Sequence, residues 1–92
     1  MPKRIPYFVY IIQAADKTFY TGMTKNLKNR ITLHAAGKGA KYLRGRTPIS
    51  LVYCERCPDI KTAMVRELQI KKYPKRRKEA LVQQSRVRKI KS

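Results

Sequence analysis

Acidic side chains are scarce in this chain: five Asp and Glu stand against 23 Lys and Arg in 92 residues, a formal net charge of +18. Spread over a small sphere, that charge repels itself, so a polyanion is the natural partner. Basic surfaces displace counterions from phosphates, which gives salt-sensitive affinity without sequence preference. No strongly amphipathic segment with exposed aromatics is present to favour a membrane surface, and no run of about 20 apolar residues is present to span one. Nucleic acid is the expected partner. Histidine occurs once, as His34, and cysteine twice, in the run Cys54-Glu55-Arg56-Cys57. A single C-x-x-C pair without a second ligand pair argues against zinc, and a thioredoxin-like pair would open a helix. This pair instead follows the strand-like "ISLVYC", so both thiols read as ordinary. The start "MPKRIPYFVYII" is basic and then apolar, but its apolar part lasts about seven residues and lacks a small-residue cleavage site. It reads as a strand, and the protein as cytoplasmic.

What is present suits one small domain. A hydrophobic fraction of 42% supports a modest core. "YFVYIIQ", residues 7–13, is aromatic and β-branched, as a strand should be. "AADK" then turns the chain into "TFYTG", which gives a hairpin. Leu27, Ile31 and Ala35 recur every four residues and Gly37 and Gly39 stop them, so an amphipathic helix runs from a cap at Thr24 or Asn26 to an end at Gly37. "ISLVYCE", 49–55, reads as a third strand. Pro58-Asp59 opens a second helix with an apolar stripe of Ile60, Ala63, Met64 and Leu68, and Ile70 near its edge. Pro74 stands in the first turn of a third helix, "PKRRKEALVQQ". The order β-β-α-β-α-α predicts an α+β fold, a small antiparallel sheet with helices packed on it. Residues 1–84 form the domain, and 85–92 form a basic tail expected to fray.

The residues able to carry chemistry fall in a definite order. Tyr10 and Tyr20 lie on neighbouring strands and can share one face of the sheet. Arg30 and His34 stand at i and i+4 on the first helix, on a face distinct from Leu27 and Ile31, where one phosphate could meet both. Glu67 lies close to the apolar stripe of the second helix. Its partner is either Lys71 at i+4 or a metal ion, since Mg²⁺ needs only one or two protein carboxylates when water and phosphate supply the other oxygens. Taken singly, each residue also has an ordinary structural reading: packed strand aromatics, a solvated basic face, a surface ion pair.

Taken in order, they resemble the GIY-YIG nuclease domain. Its naming motifs correspond here to Phe8-Val9-Tyr10 and Tyr20-Thr21-Gly22. The helical R-x-x-x-H falls on Arg30 and His34, and the later helical glutamate on Glu67. "GKGAKYLRGR", the "PISLV" strand and "AMVRELQIK" are similar to the small stand-alone bacterial members, the YhbQ-like group. The likeness covers about residues 5–83. It implies a three-stranded antiparallel sheet flanked by helices and a metal-dependent DNA phosphodiesterase site. By that resemblance Tyr10 and Tyr20 are the phenols, with Tyr20 the first choice for general base. Arg30 steadies the scissile phosphate, His34 orients or relays a proton, and Glu67 ligates Mg²⁺ or another divalent cation such as Mn²⁺. Lys38, Lys41 and Arg44 grip flanking DNA backbone, and Gly22 lets backbone or substrate approach the phenol. Many active members carry an asparagine in the last helix, where this chain reads "KEALVQQ" with Gln83 and Gln84. A non-catalytic nucleic-acid-binding protein of the same fold is the alternative.

Overall fold

The computed structural model describes residues 5–85 and 90–91. Three expected strands form an antiparallel sheet: β1 (Tyr7–Gln13), β2 (Phe19–Thr24) and β3 (Ser50–Cys57). A two-residue β4 (Ile90–Lys91) adds to the far side of β3, so the order is β2-β1-β3-β4. Of the expected tail, 85–92, residues 86–89 and 92 lie outside the described residues. β1 is central because it is apolar on both faces: Val9, Tyr10, Ile11 and Ile12 are all buried. Its even-numbered residues pack towards the first helix with Ile31, Leu43 and Leu51. Its odd-numbered residues pack with Val52, Ala63 and Ile70 on the opposite face.

The β1–β2 hairpin turns through Ala15, Asp16 and Lys17. Lys17 takes a left-handed conformation (φ 71°), as the last residue of a three-residue hairpin loop commonly does. Asp16 holds the turn by accepting from the Thr18 hydroxyl (2.6 Å) and by pairing with Arg46. The pairing Tyr10↔Gly22 and Ile12↔Tyr20 sets the register. Tyr10 and Tyr20 therefore lie diagonally on one face of the sheet, as the sequence led one to expect.

Helix α1 (Leu27–Ala35) begins at Asn26, whose side chain accepts from the Asn29 N–H. It ends in a Schellman motif. Gly37 (φ 75°) donates its N–H to the His34 carbonyl, and Lys38 donates to that of Leu33. After a short 3₁₀ turn (Lys41–Leu43) and β3, helix α2 (Ile60–Lys72) starts at Asp59, which caps the Thr62 N–H at 2.8 Å. Helix α3 (Lys75–Gln84) starts just after Pro74, one position later than the sequence suggested.

The apolar stripe assigned to α2 is corrected. Only Ala63 and Ile70 are buried, while Ile60, Met64 and Leu68 are each about half exposed. The helix rests on the sheet through its Ala63–Ile70 line, with Arg66 and Glu67 flanking that line. Arg66 donates to both oxygens of Glu55 on β3 (3.0 and 2.9 Å) and to the Tyr73 hydroxyl. The Arg66 Nε–H, shared between both Glu55 oxygens, ties the helix to the strand beside that line.

Candidate active site

Burial builds the site around Tyr10, which is 2% exposed. Its phenol lies 2.9 Å from His34 Nε2, across 24 positions of sequence. His34 is 1% exposed, which corrects the expectation that it shares an open basic face with Arg30. It projects from the same side of α1 as Ile31 and Leu27, and Arg30 is the exposed residue at the rim of that side. The other ring nitrogen, Nδ1, accepts the backbone N–H of Ala40 at 3.0 Å. An imidazole nitrogen that accepts cannot carry the proton, so neutral His34 holds its proton on Nε2. Nε2–H consequently donates to the Tyr10 oxygen, leaving the phenolic proton of Tyr10 to point elsewhere.

The electrostatics agree with that assignment. Burial, helped by the nearby Arg30 guanidinium, pushes the His34 pKa below its ordinary value, so the ring is neutral near pH 7. Burial is also the main reason the Tyr10 phenol is pushed up, and it stays protonated across the working range. The charges of Tyr20 and Glu67 act in the same direction on Tyr10, and Arg30 acts against them. Arg30 and Glu67 are therefore both within electrostatic reach of this phenol.

Tyr20 completes an aromatic triangle. Its ring centroid is 6.4 Å from that of Tyr10, and it meets His34 edge-on at 5.4 Å. Unlike Tyr10 it is only half-buried, and it lines a surface depression with Phe19, Thr21, Lys71 and Lys78. Glu67 keeps 18% of its side chain exposed and pairs with Lys71 at 3.5 Å. The structural partner read from the sequence is thus present, and the Glu67 charge still reaches the Tyr10 phenol.

Two glycines keep this cluster possible. A Cβ on Gly22 would stand 2.5 Å from the Tyr10 oxygen and 2.7 Å from its ring carbon Cζ. Gly22 thus makes room for the phenol of the protein itself rather than for substrate. A Cβ on Gly39 would overlap the His34 ring, so the loop can bring Ala40 to Nδ1 only with glycine there. Read from the sequence, Gly39 only helps to stop the helix, and Ala40 has no assigned part. Their one signal was the second glycine in "GKG", two residues beyond the glycine that ends the helix. Gly22→Ala should force the Tyr10 ring aside and cost about 1–3 kcal/mol, as overpacked cores do. Denaturant unfolding measures that loss; a variant as stable as the parent would show that the ring does not sit over Gly22.

Lys38, Lys41 and Arg44 are exposed on the loop that passes over His34, which Leu43 pins by its burial. They border the cluster without joining it. Cys54 pairs with Tyr10 across β3, whereas Cys57 packs in the core on the opposite face. A strand directs residues three apart to opposite faces, and burial pushes both thiols up. The two cysteines do not form a redox pair. Among the described residues no helix is long and apolar enough to cross a membrane.

Comparison with known proteins places these residues in a wider group. The profile of the GIY-YIG catalytic domain matches residues 6–80. A UPF0213 protein of Natronomonas pharaonis is 49% identical over 76 residues, covering 83% of this chain and 89% of its own. A UPF0213 protein of Desulfotalea psychrophila is 49% identical over 83 residues, 89% of this chain and 76% of its own. The solution structure of a UPF0213 protein from Bacillus halodurans shares 44% identity and superposes with a TM-score of 0.56, covering 85% of this chain and 83% of that one.

Proposed function

The chain belongs to the GIY-YIG catalytic domain family, and from that membership we propose that it is a divalent-metal-dependent endonuclease hydrolysing DNA phosphodiester bonds, in repair or recombination. One observation carries the reading: the Tyr10–His34 hydrogen bond has the Tyr20 ring against it and lies within electrostatic reach of Arg30 and Glu67, on a chain of net charge +18. Residues 1–84 serve as the catalytic unit in this reading, with 85–92 as a basic tail.

Glu67 suits a hard cation. It offers a partly exposed carboxylate whose ion pair with Lys71 is long, at 3.5 Å. Among the described residues no group of three or more His, Cys, Asp and Glu stands together. Water and phosphate oxygens would complete the shell, as Mg²⁺ favours, and Mn²⁺ accepts the same donors. When bound, such an ion neutralises the phosphate and the departing alkoxide.

The remaining steps belong to the chain. Tyr20, the more accessible phenol, acts in its phenolate form and becomes a neutral phenol on taking the proton of the attacking water. Tyr10 stays protonated behind it, with its oxygen fixed by the His34 Nε2–H and its own proton available to a neighbouring oxygen. His34 acts as an oriented donor, because both ring nitrogens are committed. Arg30 offers a forked donor to the phosphate oxygens, where negative charge grows in the transition state. Lys38, Lys41 and Arg44 hold flanking backbone, which positions the strand without reading bases.

Labelled single-stranded, flapped and branched DNA, incubated with Mg²⁺ and then with excess EDTA, tests the proposal. Cleavage should require the metal and stop on chelation. Undiminished cleavage in EDTA, or no cleavage of any substrate, overturns it. The Glu67–Lys71 pair favours the second reading, a basic nucleic-acid-binding protein without turnover. That reading predicts salt-sensitive binding and intact DNA under every metal condition.

A further inference from the structure

We propose that the groove between the outer edge of β2 and α3 holds a backbone phosphate of the DNA strand, next to the one that is cut. This rests on the nuclease reading for its ligand, but the groove is a separate feature. Two depressions adjoin along β2. One is lined by Phe19, Tyr20, Thr21, Lys71 and Lys78, the other by Thr18, Phe19, Lys75 and Lys78. Shared walls at Phe19 and Lys78 make them one channel that starts at Tyr20.

Three features give the channel anion chemistry. The first is the Thr21 hydroxyl. Thr21 is 4% exposed, and its Oγ1 has no hydrogen-bond partner among the described residues. Buried hydroxyls nearly always have a partner, and this unpartnered one belongs to a residue of the channel wall. The second is the edge itself. The Ala14 N–H donates to the Thr18 carbonyl, and antiparallel pairs alternate between bonded and non-bonded positions. The N–H groups of Phe19 and Thr21 therefore turn away from β1, towards the open side of the sheet.

The third feature is charge. Lys71, Lys75 and Lys78 line the channel, and no acidic residue does. Lys71 reaches Glu67 at one end, and the Lys75 ammonium lies 5.8 Å above the Phe19 ring. Lys78 is half-buried with no acidic partner among the described residues. A hydroxyl and backbone donors beside ammonium groups match a phosphodiester oxygen, which accepts from all of them. Tyr20 stands in both sites. A strand whose scissile phosphate lies by Tyr20 and Arg30 thus leads its neighbouring phosphate into the channel.

Binding of a fluorescein-labelled DNA duplex, followed by anisotropy in EDTA over a range of salt, tests this without cleavage. Lys78→Gln should flatten the slope of log affinity against log salt by about 0.9, one phosphate contact. Lys61→Gln, which removes the same charge on the far side of α2, should leave the slope unchanged. Thr21→Val should keep the slope but weaken binding by about tenfold, the loss of one charge-assisted hydrogen bond. Its melting temperature should not fall, because no internal bond is removed. Equal effects of the Lys78 and Lys61 changes would mean a diffuse field and overturn the proposal, as would unaltered binding by Thr21→Val. Inorganic phosphate that moves the Thr21 amide resonance when the duplex does not would assign the channel to a small anion instead. DNA that is bound in this way but never cut refutes the nuclease reading alone.

Discussion

Replacing Glu67 with alanine should leave a folded protein whose Mg²⁺-dependent DNA cleavage has fallen by about 10³-fold or more. A metal that polarises a phosphoryl oxygen supplies several kcal/mol of transition-state stabilisation, and in the proposed reading the loss of the Glu67 carboxylate forfeits that. The structural cost is small. The one ion pair broken is with Lys71, whose side chain is 48% exposed, and such helix pairs contribute about 0.3–0.5 kcal/mol. Cleavage kinetics and denaturant unfolding, measured on the same preparations, separate the two effects. Glu67→Gln keeps the shape and removes the charge, so it should resemble alanine in activity and the parent in stability. Retention of a tenth of the activity by either variant would remove Glu67 from the metal site.

The second large effect distinguishes the two phenols. Tyr20→Phe should lower cleavage by about 10²–10⁴-fold, the range for removing a positioned general base, with the fold intact. Tyr10→Phe should act mainly on stability. It leaves the His34 Nε2–H buried without an acceptor, which costs about 1–3 kcal/mol. Its ring still fills the space over Gly22, so packing survives. Single-turnover cleavage and denaturant unfolding of both variants decide the assignment. The reverse pattern, activity lost with Tyr10 and kept without the Tyr20 hydroxyl, would transfer the base role to Tyr10.

Much of the scaffold was legible because local rules determine it. The apolar run of β1, the asparagine and aspartate caps of α1 and α2, and Gly37 at the end of α1 each act within a few residues. Their elements fall where the pattern predicts. The proximity of Tyr10 and Tyr20 was readable too, since hairpin register follows from turn length. Tertiary contacts were not. The periodicity of α2 made Met64 and Leu68 look like core, but the side of the helix that meets the sheet carries Ala63 and Ile70, next to the Arg66 that reaches Glu55. Similarly, His34 looked like a surface residue because helix spacing places it next to Arg30. What buries it is a loop six residues downstream, and only an invisible coincidence of Gly39 and Ala40 lets that loop close. The role of Gly22 was half legible: the need for an absent side chain was clear, but not whose atoms needed the room.

The position of β2 at the margin of the sheet has a further consequence. A strand there offers unsatisfied backbone groups to any other extended chain, including another copy of itself, and such margins seed aggregation. Here Lys71, Lys75 and Lys78 run alongside that margin. Two copies approaching through it would bring two rows of ammonium groups together. The lysines that suit the channel to phosphate thus also oppose edge-to-edge pairing of two copies, and polyanions that cancel their charge remove that opposition. Concentrated stocks are accordingly safest free of nucleic acid and at modest salt, where like-charge repulsion still reaches across the gap.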